Sequence, residues 1–134
     1  MAFGYHLMLD LYGCNPEFTG NLEKCYKFLD ELPTKIGMHK QSPPFIFYTD
    51  NEKYPDKAGL SGWVPVVESG ISIHTLTPTN FISIDVYSCK KFDPKIIEKT
   101  IRDFFQPQEM EINYVLRGKR YEKKYAKILK GFKK

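Results

Sequence analysis

Residues 60–89 read LSGWVPVVESGISIHTLTPTNFISIDVYSC. Three strand-like runs lie in this stretch, 61–67, 70–76 and 80–88, each rich in β-branched or aromatic residues. Glu68-Ser69 separates the first two, and Thr77-Pro78-Thr79 separates the last two. Pro65 inside the first run predicts an edge position or a bulge, because proline has no N–H to give a ladder. Upstream, GYHLMLDLY (4–12) and FIFYT (45–49) read as strands. Downstream, EMEINYVL (109–116) reads as the last.

Two helices are expected between these strands. Leu22, Cys25, Tyr26, Leu29 and Leu32 share one helical stripe within 19–32, and Gly37 is a plausible stop. Asp93 followed by Pro94 makes an N-cap and first helical position, with Ile97, Ile101, Phe104 and Phe105 as the buried stripe. LDLYGC (9–14) and IDVYSC (84–89) match in pattern at an offset of 75 residues, and the same offset aligns Leu22, Tyr26 and Leu29 with Ile97, Ile101 and Phe104. The expected fold class is therefore α+β: an antiparallel β-sheet with helices packed on one face and two related β–α halves.

At 134 residues the chain is one ordinary domain that needs no disulfide staple. Cys14, Cys25 and Cys89 are odd in number and lack metal-ligand spacing, so free thiols in a reducing cytoplasm are expected and no metal site is. The N-terminus has no basic start and carries Asp10 within its apolar run, which argues against a signal peptide. Residues 117–134 hold nine Lys/Arg and one acid, Glu122, which leaves the rest of the chain at −4 under a total of +4. Residues 1–116 read as the domain proper and 117–134 as a basic, helical tail. Tyr121, Tyr125, Ile128 or Leu129, and Phe132 would rest its apolar edge on the domain rather than on a membrane or nucleic acid.

The chemistry-bearing residues concentrate in 60–89. Ser61, Glu68-Ser69, His74 and Cys89 fall on neighbouring strands, which tight turns can bring to one end of a sheet. A hydroxyl, an imidazole and a thiol in one pocket form a reactive set. Each also has a plain reading, as a strand-edge serine, a hydrogen-bonded core histidine or a small core cysteine. Cys14 and Cys25 are assigned to packing.

Glu68-Ser69-Gly70-Ile71-Ser72-Ile73-His74-Thr75, then Ile84-Asp85-Val86-Tyr87-Ser88-Cys89, resembles the processing region of bacterial-type S-adenosylmethionine decarboxylase proenzymes. The Ser61-Gly62 pair eight residues before Ser69, and the opening pattern from Gly4 through His6, Asp10 and Tyr12 to Cys14, agree with it. The resemblance runs to about residue 105 and implies that family's sandwich fold.

It also implies self-cleavage into 1–68 and 69–134. Ser69 would attack the Glu68 carbonyl, and the ester would eliminate to leave a pyruvoyl group at position 69. That ketone would take the substrate amine as a Schiff base and act as electron sink. By the same resemblance His74 is the acid/base of the elimination, Ser61 an oxyanion stabiliser, Cys89 the proton donor and Tyr54 the residue that stacks on adenine. A homodimer with shared sites is implied, with S-adenosylmethionine as substrate on the route to spermidine. From the sequence itself no nucleic-acid or membrane partner is expected, because no apolar run approaches the roughly 20 residues of a membrane helix and no element outside the tail suggests a nucleic-acid surface.

Three departures stand out. Gly70 replaces the usual His, the loop 50–59 is longer, and Leu76-Thr77-Pro78 replaces Trp-Pro-Glu, whose Glu holds the substrate ribose. The last keeps open a basic amino acid, arginine or ornithine, as substrate. An unprocessed homologue that binds a metabolite or partner is the non-enzymatic alternative.

Overall fold

The computed structural model describes residues 1–132. Six strands form one antiparallel sheet: β1 (Gly4–Tyr12), β2 (Phe45–Thr49), β3 (Gly59–Val66), β4 (Ser69–Leu76), β5 (Phe81–Ser88) and β6 (Glu109–Arg117), in the order β2-β3-β4-β5-β1-β6. The main helices are α2 (Leu22–Lys35) and α3 (Pro94–Phe105); short turns of helix make α1 (Pro16–Thr19), α4 (Tyr121–Lys124) and α5 (Ala126–Lys130). This is the expected α+β class.

Alternation along the strands separates two faces. Leu7, Leu9 and Leu11 of β1, Val64 and Val66 of β3, Ile71 and Ile73 of β4, and Ile82, Ile84 and Val86 of β5 are buried with Cys25, Leu29 and Leu32 of α2 and Ile97, Ile101 and Phe105 of α3 in one core. An aromatic cluster closes it, with Phe28 against Phe105 at 4.9 Å and Phe104 against Phe105 at 4.8 Å. Burial of this kind contributes about 1.5–3 kcal/mol per large apolar side chain. The alternate residues face away from the helices. Phe45, Phe47, Ser61, Trp63 and His74 on that second face are exposed.

Where local chemistry overrides periodicity, the elements shift. The stripe expected over 19–32 is broken at Gly20-Asn21, because Asn21 caps α2 by accepting from Lys24 N–H at 3.0 Å. Leu22 then sits at the first helical position and is exposed. Pro65 is tolerated because β2 has ended at the Phe45–Trp63 pair. Its carbonyl accepts Gln41 N–H at 3.0 Å from a segment that asks no donor of it. α3 begins as expected, Asp93 accepting from Lys95 N–H at 2.9 Å ahead of Pro94.

The internal echo has a structural counterpart. β1 and β5 pair side by side, and Leu9 opposes Ile84, its own equivalent at the 75-residue offset. The pseudo-twofold of the two halves therefore passes through that pair. The first half continues β1-α2 into β4 by way of an inserted β2–β3 pair, whereas the second runs β5-α3 straight into β6.

Beyond β6, Phe3 N–H donates to Gly118 C=O at 3.0 Å, Tyr121 packs edge-on against Phe3 at 4.7 Å, and the N-terminal ammonium pairs with Glu122 at 3.3 Å. The start of the tail is thus fastened to residues 1–3 through Gly118, Tyr121 and Glu122. Of the apolar edge expected to pack, Tyr121 and Leu129 are half-buried, whereas Ile128 and Phe132 are exposed at 63% and 79%.

Candidate active site

Ser69 opens β4 and pairs with Ser88 at the end of β5. Its φ of 157° is one of three positive values among the described non-glycine residues. The peptide before it is held from the side, because Cys89 N–H donates to the Glu68 carbonyl oxygen at 2.8 Å. That carbonyl is the acyl group a Ser69 hydroxyl would attack. A donor already on its oxygen stabilises the negative charge that attack creates there. The Glu68 carboxylate is fixed too, accepting from His39 N–H at 2.9 Å and His39 Nδ1 at 2.8 Å. The His39 backbone donor, followed by its side chain, holds the Glu68 carboxyl below its ordinary pKa.

Cys89 is exposed, whereas Cys14 and Cys25 are buried. It borders a cavity of about 950 Å³ shared with Phe3, Tyr5, Lys91, Tyr121 and Lys130. Tyr5 and Ser69 flank Ser88 from opposite sides, so the cavity lies one strand away from the Glu68–Ser69 bond.

Ser61 and His74 are elsewhere. They pair with each other across β3 and β4, five residues along β4 from Ser69. At about 3.3 Å per residue that is roughly 17 Å. Tyr54 lies in the loop that enters β3 at this far end, exposed and with Lys53 Nζ 6.0 Å from its ring. Leu76-Thr77-Pro78 leaves β4 at the same end, where Thr77 N–H donates to Ala58 C=O at 2.9 Å. Hence the expectation that all candidates gather at one end of the sheet does not hold within one chain. Glu68, Ser69 and Cys89 form one group; Ser61, His74 and Tyr54 form another. The reason is that His74 is an odd number of residues from Ser69 along a regular strand, which takes it away in distance and to the other face.

Gly70 has a local explanation. A Cβ there would stand 2.6 Å from Trp63 Nε1, so the indole occupies the space of any larger side chain. Trp63 in turn stacks on Phe45 at 6.1 Å.

Sequence reasoning gave no role to His39, which carries no motif signal because its partner Glu68 is 29 residues away. His6 and Asp10 stand in the opening pattern without an assigned part. His6 Nε2 lies 2.9 Å from Asp85 Oδ1 on the second face, and burial, then Glu111 and Asp85, push the Asp10 carboxyl up.

A sequence model described as S-adenosylmethionine decarboxylase matches residues 5–118. The chain belongs to that family. A curated S-adenosylmethionine decarboxylase proenzyme of Clostridium botulinum is 33% identical over 117 residues, 87% of this chain and 95% of the relative. One of Thermococcus onnurineus is 32% identical over 118 residues, 87% of this chain and 79% of the relative. The crystal structure of the Aquifex aeolicus adenosylmethionine decarboxylase matches with a TM-score of 0.73 at 24% identity, covering 87% of this chain and 92% of that one, a likeness of fold. The family match stops at Gly118, so α4 and α5 lie outside it.

Proposed function

We propose that this chain is a self-cleaving, pyruvoyl-dependent decarboxylase of S-adenosylmethionine. The observation that carries the reading is the held peptide, with Ser69 following a carbonyl that already accepts Cys89 N–H at 2.8 Å. Ser69 Oγ attacks the Glu68 carbonyl carbon, and the oxyanion forms where the Cys89 donor waits. The C–N bond opens to give an ester, and loss of the Ser69 Cα proton expels the chain ending at Glu68. Water then replaces the nitrogen of the residual dehydroalanine, which leaves as ammonia.

These residues suit a pyruvoyl group at position 69: the carbonyl before it is held by Cys89 N–H, and Cys89 follows Ser88, the strand partner of Ser69. Once formed, the group supplies a ketone that takes the substrate amine and accepts electrons as CO2 departs. Cys89 gives its proton to the substrate carbon afterwards, the role its exposure and its cavity favour.

Ser61 and His74 serve this site from a second copy of the chain. The roughly 17 Å between the two groups supports a homodimer in which one chain's Ser69 end meets its partner's His74 end. The exposed second face, with Phe45, Phe47 and Trp63, is the surface on which two sheets would stack. His74 then acts as the base for the elimination, Ser61 adds a second oxyanion donor, and Tyr54 offers a ring to the purine.

The test is intact mass after incubation. Wild type is expected to separate into 1–68 and 69–134. Co-expressed Ser69→Ala and His74→Ala chains should regain cleavage that neither has alone. A wild type that stays whole overturns the reading.

One observation favours a second substrate. Pro78 stands where the family's ribose-binding acid is expected, and loss of a charge-assisted contact costs about 1.5–3 kcal/mol, or about 10- to 150-fold in affinity. A basic amino acid would not feel that loss. If S-adenosylmethionine is the substrate, Pro78→Glu should lower its KM or leave it level. Faster turnover of arginine or ornithine by wild type would reverse the order.

A further inference from the structure

The segment between α2 and β2 runs alongside the turn that is to be cut. Gln41 N–H donates to Pro65 C=O at 3.0 Å, Lys40 bridges to Val66, and Val67 N–H donates to His39 C=O at 2.8 Å. His39 therefore both receives from the turn and gives to it. Its backbone N–H reaches Glu68 Oε1 at 2.9 Å and its Nδ1 reaches Oε2 at 2.8 Å. With a carboxylate as acceptor, Nδ1 is the nitrogen that carries the hydrogen. The Glu68 side chain is 10% exposed and that of His39 72% exposed, so the imidazole is the solvent-facing partner of the pair.

Glu68 is consequently fixed at two points, the carboxylate by His39 and the carbonyl oxygen by Cys89 N–H. Between them lies the carbon that Ser69 must reach. An exposed histidine–carboxylate pair contributes little by attraction alone. Here its effect is orientational, because attack requires the hydroxyl to approach a carbonyl of fixed direction, and a misplacement of about 1 Å can cost on the order of 100-fold.

We propose that His39 is a positioning residue for self-cleavage, acting through the Glu68 carboxylate to hold the scissile carbonyl in line with Ser69. This rests on the self-cleavage reading above. In the step concerned, the Ser69 Oγ–Glu68 C bond forms, the Glu68 C–Ser69 N bond breaks, and the hydroxyl proton ends on the Ser69 nitrogen. His39 takes no proton and touches no reacting atom.

The experiment follows the split by intact mass in freshly synthesised full-length chain. His39→Ala is expected to cleave about tenfold or more slower than wild type, still at Glu68–Ser69. His39→Asn, whose side-chain amide can replace the Nδ1 donor, should return to within about threefold of wild type. In a Glu68→Ala background, adding His39→Ala should slow cleavage no further, because the coupling is gone. Thermal melting of the same variants made uncleavable by Ser69→Ala separates orientation from folding. A His39→Ala chain that cleaves at the wild-type rate overturns the proposal. So do equal losses for Ala and Asn, or additive losses with Glu68→Ala, which mark a structural role only. A wild type that never cleaves removes the self-cleavage reading itself and this role with it, a result distinct from the others.

Discussion

LDLYGC ends in Cys14 and IDVYSC ends in Cys89, and in both the cysteine N–H is donated to a turn carbonyl just before a neighbouring strand, Asn80 at 2.9 Å and Glu68 at 2.8 Å. The surroundings then diverge. Cys14 is buried, its Sγ 3.8 Å from the Leu11 carbonyl, and burial pushes its thiol up to about 11. Cys89 is exposed beside a cavity. The residue after the accepted carbonyl is Phe81 in the first case and Ser69 in the second. One backbone device is shared by two halves. On the self-cleavage proposed above, it becomes reactive only where a hydroxyl follows the carbonyl and the thiol meets open space.

The largest effect expected is all-or-none. Ser69→Ala should remain one chain indefinitely, since no other group at that position can form the ester. Phe81→Ser puts a hydroxyl after the Asn80 carbonyl and should stay whole at that bond, because the matching contact there comes from a buried cysteine. A mass split at position 80 would show that the carbonyl contact and a hydroxyl suffice, and would erase the distinction between the halves.

Next is the pair of cysteine variants. Cys89→Ala is expected to cleave but to lose about 100-fold or more in CO2 release, the scale of a missing general acid. Cys14→Ala should keep turnover within about threefold and lose about 1 kcal/mol of stability as a small cavity opens in the core. CO2 assays and denaturant melts of both variants measure this. Equal turnover in the two would make Cys89 a packing residue like its counterpart.

Alkylation sharpens the same contrast without mutation. Cys89 should react with iodoacetamide more than tenfold faster than Cys14 or Cys25, whose thiols burial pushes up to about 11 and about 12. Peptide mapping after a brief pulse gives the ratio, and labelling of Cys14 first would refute the assignment.

The smallest effect concerns Glu68. Its carboxyl is held below the ordinary glutamate value, so ionisation stabilises the fold at pH above that value. The stabilisation is lost as pH falls below the ordinary value and through the lowered one. The Ser69→Ala precursor should therefore melt progressively earlier over that acid range, and Ser69→Ala/His39→Ala should show a shallower decline. Parallel curves would mean that the His39 contact does not hold the carboxylate.

Periodicity read the sheet well because its strands alternate cleanly over one shared core. Asp93-Pro94 marked the start of α3 by local hydrogen-bonding chemistry. The break at Asn21 escaped notice because Leu22 lies on the helical stripe although it is exposed. Within the site, Glu68, Ser69 and Cys89 were legible from motif, and their proximity follows from one turn and one strand end. His39 was not legible, since its contact spans 29 residues and leaves no spacing to recognise.

The sequence by itself determined the strands, the helices, the doubled β–α pattern and which residues are candidates for the site, because these depend on local periodicity and on residue type. Only the tertiary structure decided that β1 and β5 lie side by side, that Trp63 fills the space above Gly70, and that His39 grips Glu68. The five-residue step along β4 from Ser69 to His74 sets those two apart, but only the register of β3 against β4 put Ser61 opposite His74 and so away from Ser69. Register is set by how the buried faces of six strands fit one core rather than by any single run of residues.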